Sequence, residues 1–425
     1  MLSKSHDFGY KERPMSMKDS YDCIVLGGGP SGSTAAALTA EAGFSTLLVE
    51  RDQFPRFHIG ESLIPETYWT LRRLGMLERL RDSAFPKKYS VQFVSGEGKT
   101  SVPFYFNQHD PRECSQTWQV WRGEFDQMLF ENAAAKGAEC HQQTRVLEVL
   151  FERDRAVGVK LQAADGETRS IAAKVIVDGT GQQSIIGTRL GVRKIHPRLK
   201  KLAVWTYFKN AVRLPGIDGG ATLVLRTQNR NGWFWYIPLH SDITSVGVVG
   251  DVDYMTQGRG KPEEVYAEEL ALCPAMQERI AGAQQVDGIR VAREFSYTSE
   301  CPSGDGWVLV GDAFTFVDPL YSSGVFLALT SGERAADCVI EGLKKGDTSA
   351  AQLGKWAPAF EQGVARIRKL VEAYYSNCFN FGEFLKAFPG HRGNITDILI
   401  GRVFHDQAGD VFRDMDPWLP EALRG

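Results

Sequence analysis

The pattern of apolar and polar positions changes sharply at Tyr21. Residues 1–20 are polar, contain no apolar stretch of signal-peptide length, and are expected to be disordered. From there residues 22–26 (DCIVL) form a short β-branched run, and a glycine-rich turn (GGGPSG) interrupts it. The alanine-rich residues 34–42 then suit a helix packed closely on a sheet. Residues 45–50 (STLLVE) supply a second strand, so the segment predicts a βαβ unit. Residues 146–151, 157–161 and 168–172 alternate apolar and polar positions between turns at Arg153-Asp154 and Asp165-Gly166, which predicts an antiparallel meander. It leads into a mostly apolar strand at 174–177. Residues 200–300 are rich in aromatic and β-branched segments and predict a second sheet able to cover a substrate, while 351–388 reads as helical.

Composition narrows the picture mainly by exclusion. At 425 residues and 43% apolar content the chain is long enough for about two domains and a tail. Its 49 basic and 52 acidic residues leave a formal charge of −3 and form no basic block, which argues against a nucleic-acid partner. Seven cysteines, none spaced as CxxC, are expected to be reduced thiols in a cytoplasmic protein. No run reaches the roughly 18–20 apolar residues of a membrane helix, and no His, Cys or carboxylate cluster has metal-ligand spacing.

The first chemical signal is the turn itself. Gly27, Gly29 and Gly32 fit GxGxxG, with Pro30 and Ser31 inside it. Glycine is required there because the chain turns tightly, the backbone must approach a pyrophosphate, and the helix must close on the strand. The helix then offers free amides and its positive end to the phosphates. Glu50, followed by Arg51, ends the second strand where a carboxylate accepts a ribose hydroxyl.

A second segment, residues 306–313 (GWVLVGDA), is an apolar strand that breaks into Gly311 and Asp312. A nicotinamide site needs no such late element. The segment resembles the second FAD motif of the glutathione-reductase-like flavoproteins, in which the aspartate binds the ribitol side of the cofactor. By that resemblance Asp312 contacts FAD, and Arg122 within WRGEFDQML matches the arginine that reaches the flavin. The strand that ends at Asp178 and Gly179 resembles another sheet strand meeting the cofactor.

Three further stretches resemble the flavin-dependent halogenases. Residues 54–63 (FPRFHIGESL), including Ile59 and Gly60, are similar to the strap that lies along the isoalloxazine in those enzymes and in their reductase cousins. Trp233, Trp235, Ile237 and Pro238 match WxWxIP, the halogenase signature. Residues 318–324 (DPLYSSG) resemble the loop that holds chloride beside the flavin. That likeness implies a halide on the Ser323 and Gly324 amides, with Pro319, Gly324 and Val325 against the cofactor. Backbone amides suit a bare anion because they are directed donors without a counter-charge. The resemblance covers most of residues 21–345. WxWxIP is fairly specific, whereas GxGxxG and Gly-Asp are shared with hydroxylases and isoprenoid reductases.

The lysine that guides hypohalous acid, or holds it as a chloramine, lies in FxxKxG in the halogenases of phenols, pyrroles and carrier-tethered substrates. Phe85 and Lys88 match it, with Ser90 in place of the glycine and Lys87 as a close rival. The WxWxIP tryptophans are expected to keep substrate off the flavin, a role compatible with plain core packing. Tryptophan halogenases carry glutamate where Tyr321 stands, so the loop points to a phenol, a pyrrole or a similarly activated ring. His58 and Glu61 are acid-base candidates, read as structural because the sequence shows no partner for them. The aromatic stretch Tyr374, Tyr375, Phe379, Phe381 and Phe384 is placed either to close the substrate side or to fill core.

The implied fold is α/β: a Rossmann-like FAD-binding domain (residues 21–84, 121–195 and 300–350), an inserted mixed or antiparallel β-sheet substrate domain (85–120 and 196–299), and a helical C-terminal region (351–425). The implied function is halogenation in secondary metabolism, with reduced FAD from a separate flavin reductase, oxygen, and chloride or bromide, on a small aromatic substrate that a carrier protein can present. A reductase of the geranylgeranyl-reductase type, a hydroxylase-like monooxygenase and a flavin-binding protein without turnover are the alternatives.

Overall fold

The computed structural model describes residues 17–376 and 379–424. The first sixteen positions of the stretch expected to be disordered lie outside the described residues, but its end joins the fold. The first strand, Ser20–Leu26, begins one residue before Tyr21, and the Ala172 amide donates to the Asp19 carbonyl (3.0 Å).

The βαβ unit forms as its pattern predicts. Ser20–Leu26 pairs in parallel with Thr46–Val49 on one side and with Thr168–Asp178 on the other, and Thr168–Asp178 pairs in parallel with Trp307–Leu309. Helices and loops cover both faces, so Ile24, Val25, Leu47, Leu48, Ile176 and Val177 are fully buried and the strands need continuous apolar runs. Pro30 opens the first helix, Pro30–Glu41, where its missing N–H costs nothing. Small residues at Ala35, Ala36 and Ala37 let that helix lie close to the sheet and to the long helix Gly324–Lys345.

One expectation changes in detail. The third meander strand and the strand at 174–177 are a single element, Thr168–Asp178. Its first half pairs antiparallel with Arg155–Gln162 and its second half joins the parallel sheet. No glycine or proline breaks it at residue 173, so one extended run serves both ladders.

Among the described residues the second sheet has nine strands. Its centre is Arg193–Lys209, Ile243–Asp251 and Gly232–Pro238, paired antiparallel, and Ser90–Val94 joins through a parallel pairing with Thr222–Arg226. Alternation along Gly232–Pro238 sorts the WxWxIP motif. Trp233, Trp235 and Ile237 face the main core, whereas Phe234 and Tyr236 face a separate cluster under the helices Pro262–Ala271 and Pro274–Ile280. The helix Ala357–Tyr375, the longest of the C-terminal region, closes over the first face. Among the described residues no helix is long and apolar enough to cross a membrane.

Candidate active site

A long cavity lies between the two sheets, at the carboxyl ends of the parallel strands, where open α/β sheets bind ligands. Its near end is the glycine turn. Gly27 has φ +93° and a Cβ there would stand 2.5 Å from the Gly179 carbonyl oxygen; one on Gly32 would stand 2.0 Å from the Gly27 oxygen. These two glycines serve the chain's own close approach, and Gly32 does not line the cavity. Gly29 differs: a Cβ on it would meet only Arg56 Nη2, at 3.6 Å, so its open side belongs to the cavity. Pro30, Ser31, Glu50 and Arg51 line the same end. Buried Glu50 accepts from the Gly28 amide (2.9 Å) and the Asp52 amide (3.0 Å), which holds its carboxylate against the turn.

The middle of the cavity is built by the strap. Arg122, buried at the start of the helix Arg122–Ala135, donates to both oxygens of Asp126 (2.8 and 2.9 Å) and to the Ile59 carbonyl (2.6 Å). Ile59 and Gly60 line the cavity beside it. The strap also contributes a residue that sequence reasoning passed over. Arg56 bonds Asp126 (3.0 Å), lies 3.4 Å from Glu50, and is the side chain nearest the open face of Gly29. The arginine inside FPRFH was the available signal. Asp312 lines the cavity and its carboxylate has no hydrogen-bond partner among the described residues, while burial raises its pKa to about 6.

Two members of the expected site are turned to other tasks. Asp178 is fully buried and does not line the cavity, because its carboxylate accepts from the Thr180 amide (3.1 Å), the Thr180 hydroxyl (2.6 Å) and the Ile186 amide (2.8 Å). The neighbouring Gly179 does reach the cavity. Gly311 takes φ +60° and donates to Ser331 Oγ (2.8 Å), and it aims the next residue, Asp312, inward.

Trp233 and Trp235 line the far end. Trp235 Nε1 donates to Ser245 Oγ (3.0 Å) and Trp233 Nε1 to the Tyr375 hydroxyl (2.9 Å), so the helix Ala357–Tyr375 is tied to the motif. Tyr375 in turn donates to Asp318 Oδ1 (3.2 Å). Asp318 is buried, its Oδ2 has no partner among the described residues, and burial raises its pKa to about 7. Pro319, Ser323, Gly324 and Val325 all line the cavity where the long helix begins, and Ser323 Oγ is buried without a partner among the described residues. Glu61, for which the sequence offered no partner, has one here. The Tyr207 hydroxyl donates to its Oε1 (2.7 Å), its Oε2 is unpartnered among the described residues, and burial raises its pKa to about 7.

Lys88 and Tyr321 stand apart from the main cavity. Both line a small pocket behind it, and Thr222, Leu320 and Ser322 border both spaces. The ribbon of Lys87–Lys88 with Thr117–Trp118 places adjacent side chains on opposite faces, so Lys87 is exposed and Lys88 is 2% exposed. Lys88 Nζ donates to Ser62 Oγ and to the Leu63 carbonyl, both at 2.9 Å, and lies 5.6 Å from the centre of the Phe106 ring. Burial without a carboxylate lowers its pKa to about 7. The Tyr321 hydroxyl donates to the Leu370 carbonyl (3.3 Å).

The open face of Gly29, the orphaned Asp312 carboxylate and an elongated cavity running from the glycine turn to an aromatic sheet fit a flavin dinucleotide. These features define a flavoenzyme. The FAD binding domain family matches residues 20–347. The chain is 30% identical over 415 residues to the 1H-pyrrole-2-carbonyl-[peptidyl-carrier protein] chlorinase of Pseudomonas fluorescens, which covers 93% of this chain and 92% of that protein. It is 33% identical over 339 residues to the corresponding brominase of Pseudoalteromonas luteoviolacea, covering 78% and 80% of the two chains. Among solved structures, the flavin-dependent brominase Bmp2 superimposes with a TM-score of 0.83 at 28% identity, over 93% of this chain and 98% of that one. The protein belongs to the flavin-dependent halogenases.

Proposed function

We propose that the protein halogenates an electron-rich ring, a phenol or a pyrrole, using reduced FAD delivered by a separate flavin reductase, oxygen, and chloride or bromide. Two of its relatives are named for a pyrrole carried on a peptidyl carrier protein, which supports a tethered substrate here. Gly29, Glu50, Arg56, Arg122 and Asp312 would hold FAD. When bound and reduced, it supplies with oxygen the oxidising equivalent that converts halide to hypohalous acid.

The chain's own residues do the rest. The amides of Ser323 and Gly324, at the first turn of a 22-residue helix, face a halide with the positive end of the helix dipole. The observation that carries the proposal is Lys88: a buried amine with no carboxylate beside it, in a pocket that shares walls with the flavin cavity. A neutral amine reacts with hypohalous acid to give the N-halo amine and water, and the aromatic ring then exchanges a C–H for a C–halogen bond with loss of a proton. A pKa near 7 keeps about half of this lysine neutral at pH 7, against fewer than about one in a thousand for an ordinary lysine.

The test is incubation with reduced FAD, oxygen, bromide and a panel of phenols and pyrroles, followed by mass spectrometry. Halogenated product is expected from the parent and from Lys87→Ala, and none from Lys88→Ala, which should still bind FAD. Equal turnover of substrate without halide would replace this reading with a reductase or hydroxylase.

A further inference from the structure

Lys88 does not itself line the flavin cavity, but Ser62, whose hydroxyl accepts from it, does. Ser62, the last polar residue of the strap, accepts from Lys88 Nζ at 2.9 Å, and its oxygen lies 2.8 Å from Thr222 Oγ1. Ser62 and Thr222 both line the main cavity, and Thr222 also walls the lysine pocket. Paired backbone segments bring Ser62 beside Lys88. The strap runs beside residues 117–120, with the Val120 amide on the Glu61 carbonyl (2.7 Å) and the Leu63 amide on the Trp118 carbonyl (3.1 Å), and Thr117–Trp118 pairs with Lys87–Lys88.

The hydrogen-bond inventory allows two directions. Gln119 Nε2 donates to Thr222 Oγ1 (2.8 Å) and to the Gly220 carbonyl (2.8 Å), so one acceptor site of the threonine is taken. If Ser62 donates to Thr222, the second is taken too, and the threonine's own hydrogen must leave the network, with the cavity it lines as the outlet. If Thr222 donates to Ser62, the serine oxygen is filled by Lys88 and Thr222, and its hydrogen must leave instead. Both arrangements satisfy the two hydroxyl oxygens. A pair of hydroxyls that can point either way is what proton exchange along a chain requires.

We propose that Ser62 and Thr222 are positioning residues that orient the Lys88 amine and exchange its proton with the flavin cavity. This rests on the halogenase reading above. In one pass a proton moves from Lys88 Nζ to Ser62 Oγ, the serine proton moves to Thr222 Oγ1, and the threonine proton moves to a water in the cavity. One proton leaves the amine, one arrives in the cavity as hydronium, and neither hydroxyl is left charged. The neutral amine is then ready for the oxidised halogen. The other groups facing Lys88 do not compete for this role. Ile64, Val91, Phe106 and Leu399 are apolar, and among the described residues Tyr321 is the only other titratable side chain lining the pocket, its phenol held neutral by burial.

The pair is tested on protein carrying [ε-13C]lysine, with the Lys88 resonance identified by its loss in Lys88→Ala. The parent should titrate near pH 7. Ser62→Ala removes an acceptor from the ammonium, so the midpoint should fall by about one pH unit, and Ser62→Thr should restore it. Thr222→Val should lower halogenation kcat by about tenfold or more at unchanged KM, and Thr222→Ser should recover it. The proposal is overturned if Ser62→Ala leaves the midpoint unmoved, or if Thr222→Val halogenates at the parental rate. The titration needs no turnover, so it still judges the hydroxyl pair if Lys88→Ala proves active and the lysine reading itself falls.

Discussion

A buried lysine without a counter-charge should weaken the protein that carries it, and Lys88→Met is the variant that exposes this. Methionine keeps the length and apolar stem of the side chain in a pocket walled by Ile64, Val91, Phe106 and Leu399. Lys88 has a pKa lowered from 10.5 to about 7 by burial alone. Between these values the unfolded chain binds a proton that the folded chain does not, so stability rises with pH through the window from 7 to 10.5 and is at its lowest below 7. At 1.36 kcal/mol per pH unit the full span is about 5 kcal/mol, about 4 of which apply at pH 7 and about 2 at pH 9. The variant also orphans the Leu63 carbonyl, which costs about 1–3 kcal/mol. Lys88→Met should therefore be more stable than the parent by about 1–3 kcal/mol at pH 7, and the gap should close or reverse by pH 9, while halogenation is lost. Urea unfolding of both proteins at half-unit pH steps measures the difference directly, since other titrating groups cancel. A gap that stays constant from pH 7 to 9 would falsify the depressed pKa, and with it the argument that Lys88 is a neutral amine in the working enzyme.

Gly29→Val should fold normally, because a Cβ there meets only the end of Arg56, yet should lose FAD affinity at least about a hundredfold by filling the open face of the turn; flavin fluorescence titration decides it, and parental affinity would refute the pyrophosphate site. Glu61 has the opposite linkage to Lys88. Its pKa is raised from 4.5 to about 7, so its stabilising contribution is complete below pH 4.5 and is lost as pH rises through 7, whatever Tyr207, Ser245, Arg122 and Arg290 offset around it. Glu61→Gln should flatten thermal stability across that window by about 3 kcal/mol, and an unchanged pH profile would show that the carboxyl is not protonated in the folded chain. Free tryptophan should be a poor substrate beside an activated phenol or pyrrole, because Tyr321 is committed to the Leu370 carbonyl and offers no carboxylate; efficient, regioselective tryptophan halogenation measured by mass spectrometry would contradict this.

What the sequence by itself determined follows from short-range periodicity. The run of apolar residues, the glycine turn and the second apolar run define a βαβ unit because each element's pattern is local. The WxWxIP match singled out Trp233, Trp235 and Ile237, and the strand's alternation in the structure puts all three on one face. Alternation also established that Lys87 and Lys88 point oppositely, but not which of them is buried, since that depends on the strap packing over the ribbon. Contacts between distant segments were decided only by the tertiary structure. Glu61 meets Tyr207 across 146 positions, and Asp318 meets Tyr375 across 57. Asp178 and Asp312 look alike in sequence, each ending an apolar strand beside a glycine, yet one carboxylate is used up on neighbouring amides while the other is left free in the cavity. The reason is physical: a side chain's period fixes the direction in which it leaves its own strand, while its burial, its pKa and its free hydrogen-bonding capacity are set by whatever the rest of the chain packs against it.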